Sequence, residues 1–466
     1  MSKELVTLSP IDGSELLRRP YVDAADAQAM LARARSAQAA WRSTPVAERA
    51  RLLSRGVDAF VAMKAQIAEE LTRQMGRPLR FTPGEVGGFE ARARHMISIA
   101  ESALRDVRPE PIAGFTRFIR REPLGVVLVV APWNYPLLTA VNAVVPALMA
   151  GNAVILKPSA QTPLTGERIV EALAGAGLRD GLPEGLLQCV HTDHAGTQAL
   201  IASPQTDGVC FTGSVAGGVA VEQAAAGRFI HVGLELGGND PAYVRADANL
   251  DAAVETLVDG AFFNSGQSCC GIQRIYVHRA LYAEFVRKAV ALTRQYVLGN
   301  PLDAATTIGP VVRASAADAV RAVIADAVAK GARALIDRRD FALDREGSAY
   351  VAPQIVVDVN HGMKVMSDEC FGPVVGIMAV GGDDEAIALM NDSPYGLTAC
   401  VFTQDEAAAL AIGDRLQTGT VFMNRCDYLD PALAWTGVKN TGRGATLSSV
   451  GYEHLTRPKS FHLKTL

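Results

Sequence analysis

Between Val126 and Leu236, short apolar runs alternate with longer segments of helical periodicity, and this alternation constrains the fold more than any other feature. The apolar runs predict strands at Val126–Ala131, Ala153–Leu156, Leu186–Val190, Val209–Phe211 and Ile230–Val232. The segments between them predict helices at Leu137–Met149, Leu164–Ala176, Ala195–Ala202 and Val215–Ala226. This pattern is typical of a parallel sheet covered by helices on both faces. Because such sheets bind ligands at the carboxyl ends of their strands, we expect a binding site along that edge.

A second alternation of strands and helices follows the first, and three predicted helices precede both. Its pattern predicts helices at Leu281–Tyr296, Ala314–Lys330, Asp383–Met390 and Glu406–Leu416, and strands at Tyr350–Val357, Val374–Val380 and Thr420–Met423. Near the N-terminus, apolar residues at helical spacing predict helices at residues 23–42, from Pro45 to a stop at Gly76, and from Glu85 to about Leu104. The fold class is therefore predicted to be α/β.

Size and composition exclude several classes of protein. A chain of 466 residues is long enough for two or three domains. Its net charge of −4 gives no reason to expect nucleic-acid binding. Seven cysteines, an odd number spread thinly, favour a reducing compartment over a disulfide framework. Residues 1–12 lack the apolar core of a signal peptide, and no apolar stretch reaches the length of a membrane span. We therefore expect a cytoplasmic protein that does not bind membranes.

The segment Phe262–Gly271 carries the first sign of chemistry. Two aromatic residues lead into a small, polar, glycine-flanked turn that presents Cys269. A thiolate is a strong nucleophile, and a turn can place its sulfur in a cleft. Cysteine is also a common small core residue, and the neighbouring Cys270 is a competing nucleophile. The assignment therefore depends on partners elsewhere in the chain.

Glu235 is the first candidate partner, because it lies between two leucines at the end of the apolar run Phe229–Leu236. A carboxylate there is costly to bury unless it is paired or used. Burial would raise its pKa toward the range that suits a general base near neutral pH. The alternative is a surface glutamate that precedes a glycine turn.

Asn134 is the second candidate partner, in the segment Pro132–Pro136 after the first predicted strand. Two prolines fix the backbone around it, and its side-chain amide can donate to a developing oxyanion. The alternative is an ordinary loop asparagine between turn-forming prolines.

Four segments in order resemble the aldehyde dehydrogenase superfamily, namely Pro132–Pro136, Leu234–Gly238, Gly266–Cys269 and Glu369–Pro373. The resemblance covers nearly the whole chain. It implies a Rossmann-like cofactor domain, an α/β catalytic domain and a small β oligomerisation element. The implied boundaries are residues 1–112 and 125–236 for the NAD(P)-binding domain, 237–440 for the catalytic domain, and 113–124 with 455–466 for the oligomerisation element.

The resemblance implies oxidation of an aldehyde to the carboxylic acid, with reduction of NAD(P), through a thiohemiacetal and a thioester on a cysteine. The spacing Gly-Gln-x-Cys of the family selects Cys269 over Cys270. Asn134 and the backbone N–H of Cys269 would stabilise the oxyanion, and Glu235 would activate water. Two alternatives stay open: a CoA-acylating relative, against which Glu235 argues, and a non-catalytic relative, which would be free to lose its nucleophile.

The resemblance also implies a cofactor site, made of Trp133, Lys157, Ser159, Ala160, Gly213, Ser214, Glu369 and Phe371. Gly213 and Ser214 form a turn before a helix, whose N-terminus favours a pyrophosphate. Ala160 stands where many NAD-preferring relatives carry a glutamate that holds the ribose. Without that carboxylate a 2′-phosphate is not repelled, so we expect NADP to be accepted besides NAD. No metal is expected.

The substrate, a small-molecule aldehyde, is expected to contact Tyr135, Leu138, Asn142, Phe263, Ser268, Arg425 and Trp435. The aromatic residues favour a medium-sized apolar or aromatic aldehyde. Asn142, Arg425 and Asp427 favour instead a polar or charged tail. A salt bridge that anchors the loop Asn424–Tyr428 is the alternative use of the two charged residues.

Two further expectations concern assembly and proton transfer. Phe115–Glu122 alternates apolar and charged residues, as a half-exposed strand does. The resemblance joins it with Ser460–Leu466 in an element that pairs with another subunit, and an exposed strand edge needs a cover. We therefore expect a homodimer or homotetramer. At Gly444 many relatives carry a glutamate thought to relay protons, so the proton route is expected to differ here.

Overall fold

The computed structural model describes residues 4–178 and 181–465, and its first elements are a hairpin and four helices. They span Glu4–Leu8 (β1), Glu15–Pro20 (β2), Ala24–Trp41 (α1), Val46–Ala62 (α2), Lys64–Met75 (α3) and Thr82–Ala103 (α4). The three predicted helices are observed, except that the second is divided at Met63, whose φ of −89° and ψ of 11° separate α2 from α3. The antiparallel hairpin was not predicted from the sequence, because its strands are only five and six residues long.

A six-stranded sheet contains the first predicted alternation. Its elements span Val126–Val130 (β4), Pro136–Met149 (α5), Ala153–Lys157 (β5), Pro163–Leu178 (α6), Leu187–Cys189 (β6), His194–Ala202 (α7), Gly208–Thr212 (β7), Val215–Ala225 (α8), His231–Glu235 (β8) and Gly442–Arg443 (β18). The strand order is β18-β8-β7-β4-β5-β6, parallel except for β18. The predicted α/β alternation is confirmed. Lys157 and Glu235 end β5 and β8, so two predicted site residues lie on the carboxyl edge.

A seven-stranded sheet follows, and sequence analysis found only part of it. Its elements span Asp240–Val244 (β9), Leu250–Phe262 (α9), Ile272–His278 (β10), Arg279–Thr293 (α10), Ala314–Ala329 (α11), Arg333–Ala334 (β11), Gln354–Val357 (β12), Lys364–Ser367 (α12), Val374–Val380 (β13), Asp383–Asn391 (α13), Thr398–Phe402 (β15), Glu406–Gly413 (α14) and Thr420–Met423 (β16). The strand order is β11-β12-β13-β10-β9-β15-β16. The central strands β9, β10 and β15 were missed. In β10, buried Arg274 donates to the carbonyl of Asn239 at 2.9 Å, so a charged core residue interrupts the apolar pattern.

A separate ribbon pairs Phe115–Pro123 (β3) antiparallel with Thr456–Lys464 (β19). The strand predicted at residues 115–122 is therefore observed, whereas Leu466 lies outside the described residues. The remaining short elements are Tyr395–Gly396 (β14), Val438–Lys439 (β17) and Ser448–Glu453 (α15). The domain boundaries given above stay a prediction.

The largest apolar core joins the N-terminal helices to the six-stranded sheet. Two polar groups fix this packing: the indole of Trp41 donates to Leu148 O at 2.8 Å, and the hydroxyl of Tyr452 donates to Met96 O at 2.6 Å. Two further clusters cover the faces of the seven-stranded sheet. Within the described ranges, no helix has the length and apolar character that crossing a membrane requires.

Candidate active site

The turn before Cys269 is strained and tightly held. Asn264 and Ser265 have positive φ values of 54° and 55°, each costing on the order of 1–3 kcal/mol. The side chain of Asn264 donates to Asn134 O at 3.2 Å and to Gln267 O at 3.1 Å. The hydroxyl of Ser265 donates to Gly309 O at 2.9 Å. These bonds fix the backbone that presents Cys269.

Two glycines let separate motifs approach this turn more closely than any side chain would allow. A Cβ on Gly238 would lie 2.3 Å from the carbonyl oxygen of Cys269. A Cβ on Gly266 would lie 2.2 Å from the carbonyl oxygen of Gly372. The glycines after Glu235 and before Cys269 therefore bring three of the four motifs into direct backbone contact.

Asn134 is held against the same turn by a buried ion pair. Its side chain donates to Gln267 O at 3.3 Å. Beneath it, Arg77 donates to Asn134 O at 2.5 Å and to Asn264 Oδ1 at 2.9 Å, and forms an ion pair with Glu85. Glu85 in turn accepts from the backbone N–H of Leu137 at 2.9 Å. Sequence reasoning missed Arg77 and Glu85, because an arginine between a glycine and a proline has the pattern of a surface turn.

Glu235 is enclosed and hydrogen-bonded by neutral groups. Its carboxyl oxygens accept from the hydroxyl of Thr446 at 2.6 Å and from that of Thr212 at 3.1 Å. Burial raises the pKa of Glu235, against the lowering effect of these bonds and of the Arg92 charge. A carboxyl with a raised pKa suits proton abstraction near neutral pH. The two threonines had no sequence signal, since they lie far from Glu235 along the chain.

The two adjacent cysteines have different surroundings. Cys269 is half-buried and lines the main cavity. Cys270 is 3% exposed, and its thiol donates to Asp427 Oδ1 at 2.9 Å. Its hydrogen bond with Cys269, together with burial, raises the pKa of the Cys270 thiol well above its ordinary value. Cys270 is therefore held as a neutral donor.

A cavity of about 870 Å³ adjoins Cys269 and Glu235. Six of the seven predicted substrate residues line it: Tyr135, Leu138, Asn142, Phe263, Ser268 and Trp435. The seventh, Arg425, is not brought to the cavity wall. It is exposed, and its guanidinium carbon lies 3.4 Å from the centre of the Tyr428 ring. Asp427 does line the cavity and accepts from the hydroxyl of Ser268 at 3.1 Å. The loop is thus anchored by stacking and hydrogen bonds rather than by the salt bridge considered above.

Arg92 is a cavity residue that sequence reasoning missed, because it lies on a helix assigned to the scaffold. It is 8% exposed and donates to Leu138 O at 2.9 Å and to Asn142 Oδ1 at 3.2 Å. Among the residues that the structure describes, it hydrogen-bonds only to these neutral oxygens. Burial lowers the pKa of Arg92. Since arginine can only donate, Asn142 must turn its oxygen toward Arg92 and its NH₂ group away.

Five of the predicted cofactor residues lie at the carboxyl ends of β5 and β7. Lys157 is half-buried, and the burial of its ammonium lowers its pKa. Ser159 accepts from the N–H of Gln161 at 3.2 Å, and Ala160 is exposed. Ser214 caps α8 by accepting from Gly217 at 3.2 Å, which leaves the turn from Gly213 at a helix N-terminus. A half-buried ammonium and a helix N-terminus fit a dinucleotide phosphate and ribose.

Two of the other predicted cofactor residues are in contact. The rings of Trp133 and Phe371 meet edge to face, with centroids 5.5 Å apart. Phe371 has a positive φ of 52°, unusual for a bulky residue. Glu369 accepts from the N–H of Gly238 at 3.1 Å, and burial raises its pKa to about 7. Within residues 4–178 and 181–465, no cluster of three or more His, Cys, Asp or Glu residues is arranged to hold a metal ion.

Comparison with known proteins finds relatives along nearly the whole chain. Residues 1–461 match the sequence model of the aldehyde dehydrogenase family. A succinate-semialdehyde dehydrogenase [NADP(+)] from Deinococcus radiodurans is 32% identical, over 98% of this chain and 94% of that protein. A betaine aldehyde dehydrogenase from Rhizobium leguminosarum bv. trifolii is 33% identical, over 98% of this chain and 93% of that protein. The structure of an NADP-dependent glyceraldehyde-3-phosphate dehydrogenase from Bacillus halodurans, complexed with NADP, has a TM-score of 0.92 and 32% identity, over 100% of this chain and 96% of that one.

Proposed function

This chain belongs to the aldehyde dehydrogenase family and oxidises an aldehyde to a carboxylic acid with NAD or NADP, and on that premise we propose that Cys269 is its nucleophile. One observation carries the assignment: Cys269 and Glu235 line a single cavity, while Asn134 bonds the carbonyl of Gln267 beside the cysteine turn. The three residues come from separate segments, and only the fold brings them together.

The proposed steps divide between these three groups. The Cys269 thiolate attacks the aldehyde carbon, and the Asn134 amide with the Cys269 backbone N–H stabilises the oxyanion. The nicotinamide supplies the hydride acceptor when it is bound. The resulting thioester on Cys269 is hydrolysed by water that Glu235 deprotonates. The bonds from Thr212 and Thr446 hold the carboxylate while leaving it able to accept that proton.

Matched cysteine variants test the nucleophile. We expect Cys269→Ala to lose turnover by at least about 10³-fold. Cys270→Ala should still form the acyl-enzyme, because in the parent protein the Cys270 thiol donates to Asp427 and is not the nucleophile. Labelling by an aldehyde and NADP, followed by mass spectrometry of the acid-quenched protein, locates the acyl group. An acyl group on Cys270, or turnover by Cys269→Ala at the parent rate, would refute the assignment.

A Glu235→Gln variant separates hydrolysis from transfer to CoA. We expect this variant to keep the first burst of reduced cofactor but to lose turnover by about 10²–10⁴-fold, as removal of a general base does. If CoA instead accelerates turnover of the parent protein, and water does not compete with CoA for the acyl group, Glu235 is not the base.

We assign the cofactor to the residues around Lys157, Ser214 and Phe371 described above. The exposed Ala160 leaves room and no negative charge beside the ribose, which supports acceptance of NADP. An Ala160→Glu variant should raise the KM for NADP by about 10-fold or more through like-charge repulsion, with little change for NAD. Equal effects on both cofactors would contradict the placement of Ala160.

For the substrate we propose an aldehyde that carries a carboxylate. Arg92 supports this, since it is a buried cation in the cavity whose partners are neutral oxygens. The NH₂ group of Asn142 adds a second donor on the same wall. The relative named succinate-semialdehyde dehydrogenase acts on such an aldehyde. Carboxylates of the protein line the cavity too, at Glu255, Asp259 and Asp427, and a cationic aldehyde would use these instead.

Three aldehydes of similar size discriminate these options: succinate semialdehyde, butanal and betaine aldehyde. We expect succinate semialdehyde to have the highest kcat/KM. An Arg92→Met variant should raise its KM by about 10–100-fold, the value of a charge-assisted hydrogen bond, and leave butanal nearly unchanged. A preference for betaine aldehyde would overturn the role of Arg92.

We also propose self-association through the ribbon of β3 and β19, as a dimer or tetramer. Among the described strands, β3 and β19 pair only with each other; Val107 bridges Ile119 on the outer edge of β3, and no strand covers the outer edge of β19. Exposed strand edges favour pairing with another chain. Light scattering should give a multiple of the 49.3 kDa monomer mass. A monomer at micromolar concentration would contradict the proposal.

A further inference from the structure

Glu235 separates two internal spaces. On one side is the main cavity beside Cys269; on the other is a smaller space of about 30 Å³. Thr212, Thr446, His231 and His454 line the smaller space together with Glu235. Its volume is sufficient for a water molecule, and the lining offers several polar partners for one.

The strand β8 explains why this space exists. Alternate residues of a strand point to the same face, so His231, Gly233 and Glu235 share one side of β8. Gly233 has no side chain, which leaves a gap between the imidazole and the carboxyl. Gly444 lies opposite, and a Cβ there would meet only Gly233 Cα at 3.5 Å and His454 Nδ1 at 3.9 Å. Two glycines therefore keep a passage open from Glu235 to the histidines.

The histidines connect this passage with the outside. Their ring centroids are 5.1 Å apart, and both residues are half-buried. His231 Nε2 is buried without a hydrogen-bond partner among the described residues, which indicates a missing partner such as water. Burial lowers the pKa of His231 to about 4, so its ring is neutral near neutral pH.

The other ionisable groups around the passage do not exchange protons, so the histidines are the groups that can carry one. Arg443 forms an ion pair with Glu222 at 2.9 Å and stays charged. Burial raises the pKa of Cys210 to about 12, so its thiol keeps its proton. Thr446 and Thr212 donate to Glu235 and can pass a proton only by accepting another.

We propose that the proton which Glu235 takes from the hydrolytic water leaves through this passage to His454 and the solvent. In this step the water oxygen bonds to the acyl carbon, the C–S bond breaks, and Cys269 returns as a thiolate. The proton on Glu235 moves by way of the Thr446 hydroxyl or a water molecule to the imidazole. This exit runs through the smaller space rather than through the main cavity. The inference rests on the proposed role of Glu235 in hydrolysis.

Two variants test the passage by different means. In His454→Ala the acceptor is lost. In Gly233→Ala a methyl group fills the gap without a clash, because its nearest neighbours would be His231 Nε2 at 3.8 Å and Val209 O at 3.9 Å. Gly175→Ala, where a Cβ meets nothing within 4 Å, is the matched control. The rate of loss of acyl-Cys269, followed by mass spectrometry after acid quenching, reports hydrolysis whichever step limits turnover.

We expect acylation to be unchanged in both variants and hydrolysis to slow by about 10-fold or more. Imidazole in the buffer should restore His454→Ala, which a merely structural effect would not allow. Parent rates of hydrolysis in both variants, or slowing of His454→Ala alone without rescue, would overturn the proposal. If no acyl-enzyme forms even in the parent protein, the proposed function fails instead, so the two failures are distinguishable.

Discussion

Arg77 and Arg92 both border the main cavity, and both are buried, with 2% and 8% exposure. Arg77 is paired with Glu85 and donates to the backbone of Asn134. Arg92 donates only to neutral oxygens within the described residues. The first arginine is fully used in holding the protein together, whereas the second retains donors for a ligand.

The carboxyl groups of the site divide in the same way. Glu85 has its arginine and the N–H of Leu137. Glu235 and Glu369 accept only from neutral donors within the described residues, and burial raises the pKa of both. A buried charge without an ionic partner is costly, so its presence in a cavity is a stronger sign of function than a buried pair.

The largest expected effect comes from breaking the ion pair of Arg77 and Glu85. Arg77→Met leaves the Glu85 carboxylate buried without a cation, and we expect the free energy of unfolding to fall by about 3–5 kcal/mol. Urea denaturation measures it. Arg73→Met, which removes an exposed pair with Glu69, should change stability little. Because Arg77→Met with Glu85→Leu removes both charges, the double variant should recover much of the loss. If Arg77→Met lost no more stability than Arg73→Met, Arg77 would not have the structural role that distinguishes it from Arg92.

The unpaired carboxyl of Glu369 should make stability depend on pH. Its pKa is raised from 4.5 to about 7 in the folded protein. Between these values the folded state retains a proton that the unfolded chain has lost, so stability falls as pH rises through this window, by up to about 3 kcal/mol. Denaturation at pH 5 and pH 8 should show a smaller difference in Glu369→Gln than in the parent. An identical difference would show that Glu369 is not the group responsible.

The close backbone contact between Gly238 and Cys269 is uncharged, and it offers a third test of what fixes the geometry of the site. Gly238→Ala forces a methyl group against Cys269 O, and displacing the turn by about 1 Å should lower kcat about 10²-fold. The loss should be the same for every aldehyde, unlike that of Arg92→Met. Gly87→Ala, where a Cβ meets nothing within 4 Å, is the control. A loss confined to carboxylated aldehydes would assign Gly238 to substrate recognition instead.

The smallest expected effect comes from giving Arg92 a partner. Asn142→Asp places a carboxylate at the position that now accepts from Arg92 at 3.2 Å. Once paired, Arg92 should resemble Arg77, and the KM for succinate semialdehyde should rise about 10-fold, with butanal unaffected. Asn142→Ala, which adds no charge, should have a weaker effect. An unchanged KM in Asn142→Asp would remove Arg92 from the substrate site.

Sequence reasoning found the first sheet, because buried parallel strands are continuous apolar runs. It missed β9, β10 and β15; in β10, the buried Arg274 interrupts the apolar pattern. It assigned Asn134, Glu235 and Cys269 from short motifs, and it expected Arg425 at the substrate, whereas the structure leaves Arg425 exposed and outside the cavity lining. Which side chain of a loop turns inward depends on packing, here on stacking with Tyr428, and the loop sequence does not reveal it.

The sequence by itself determined the α/β architecture, the family and the nature of the reaction. Local periodicity and motifs with fixed spacing carry that information, because both depend on residues close together in the chain. The tertiary structure alone decided which buried charges are paired. Arg77 with Glu85, Arg92 with Asn142, and Glu235 between its two spaces depend on distances between separate segments. Burial makes each of those distances energetically decisive, and folding alone sets them.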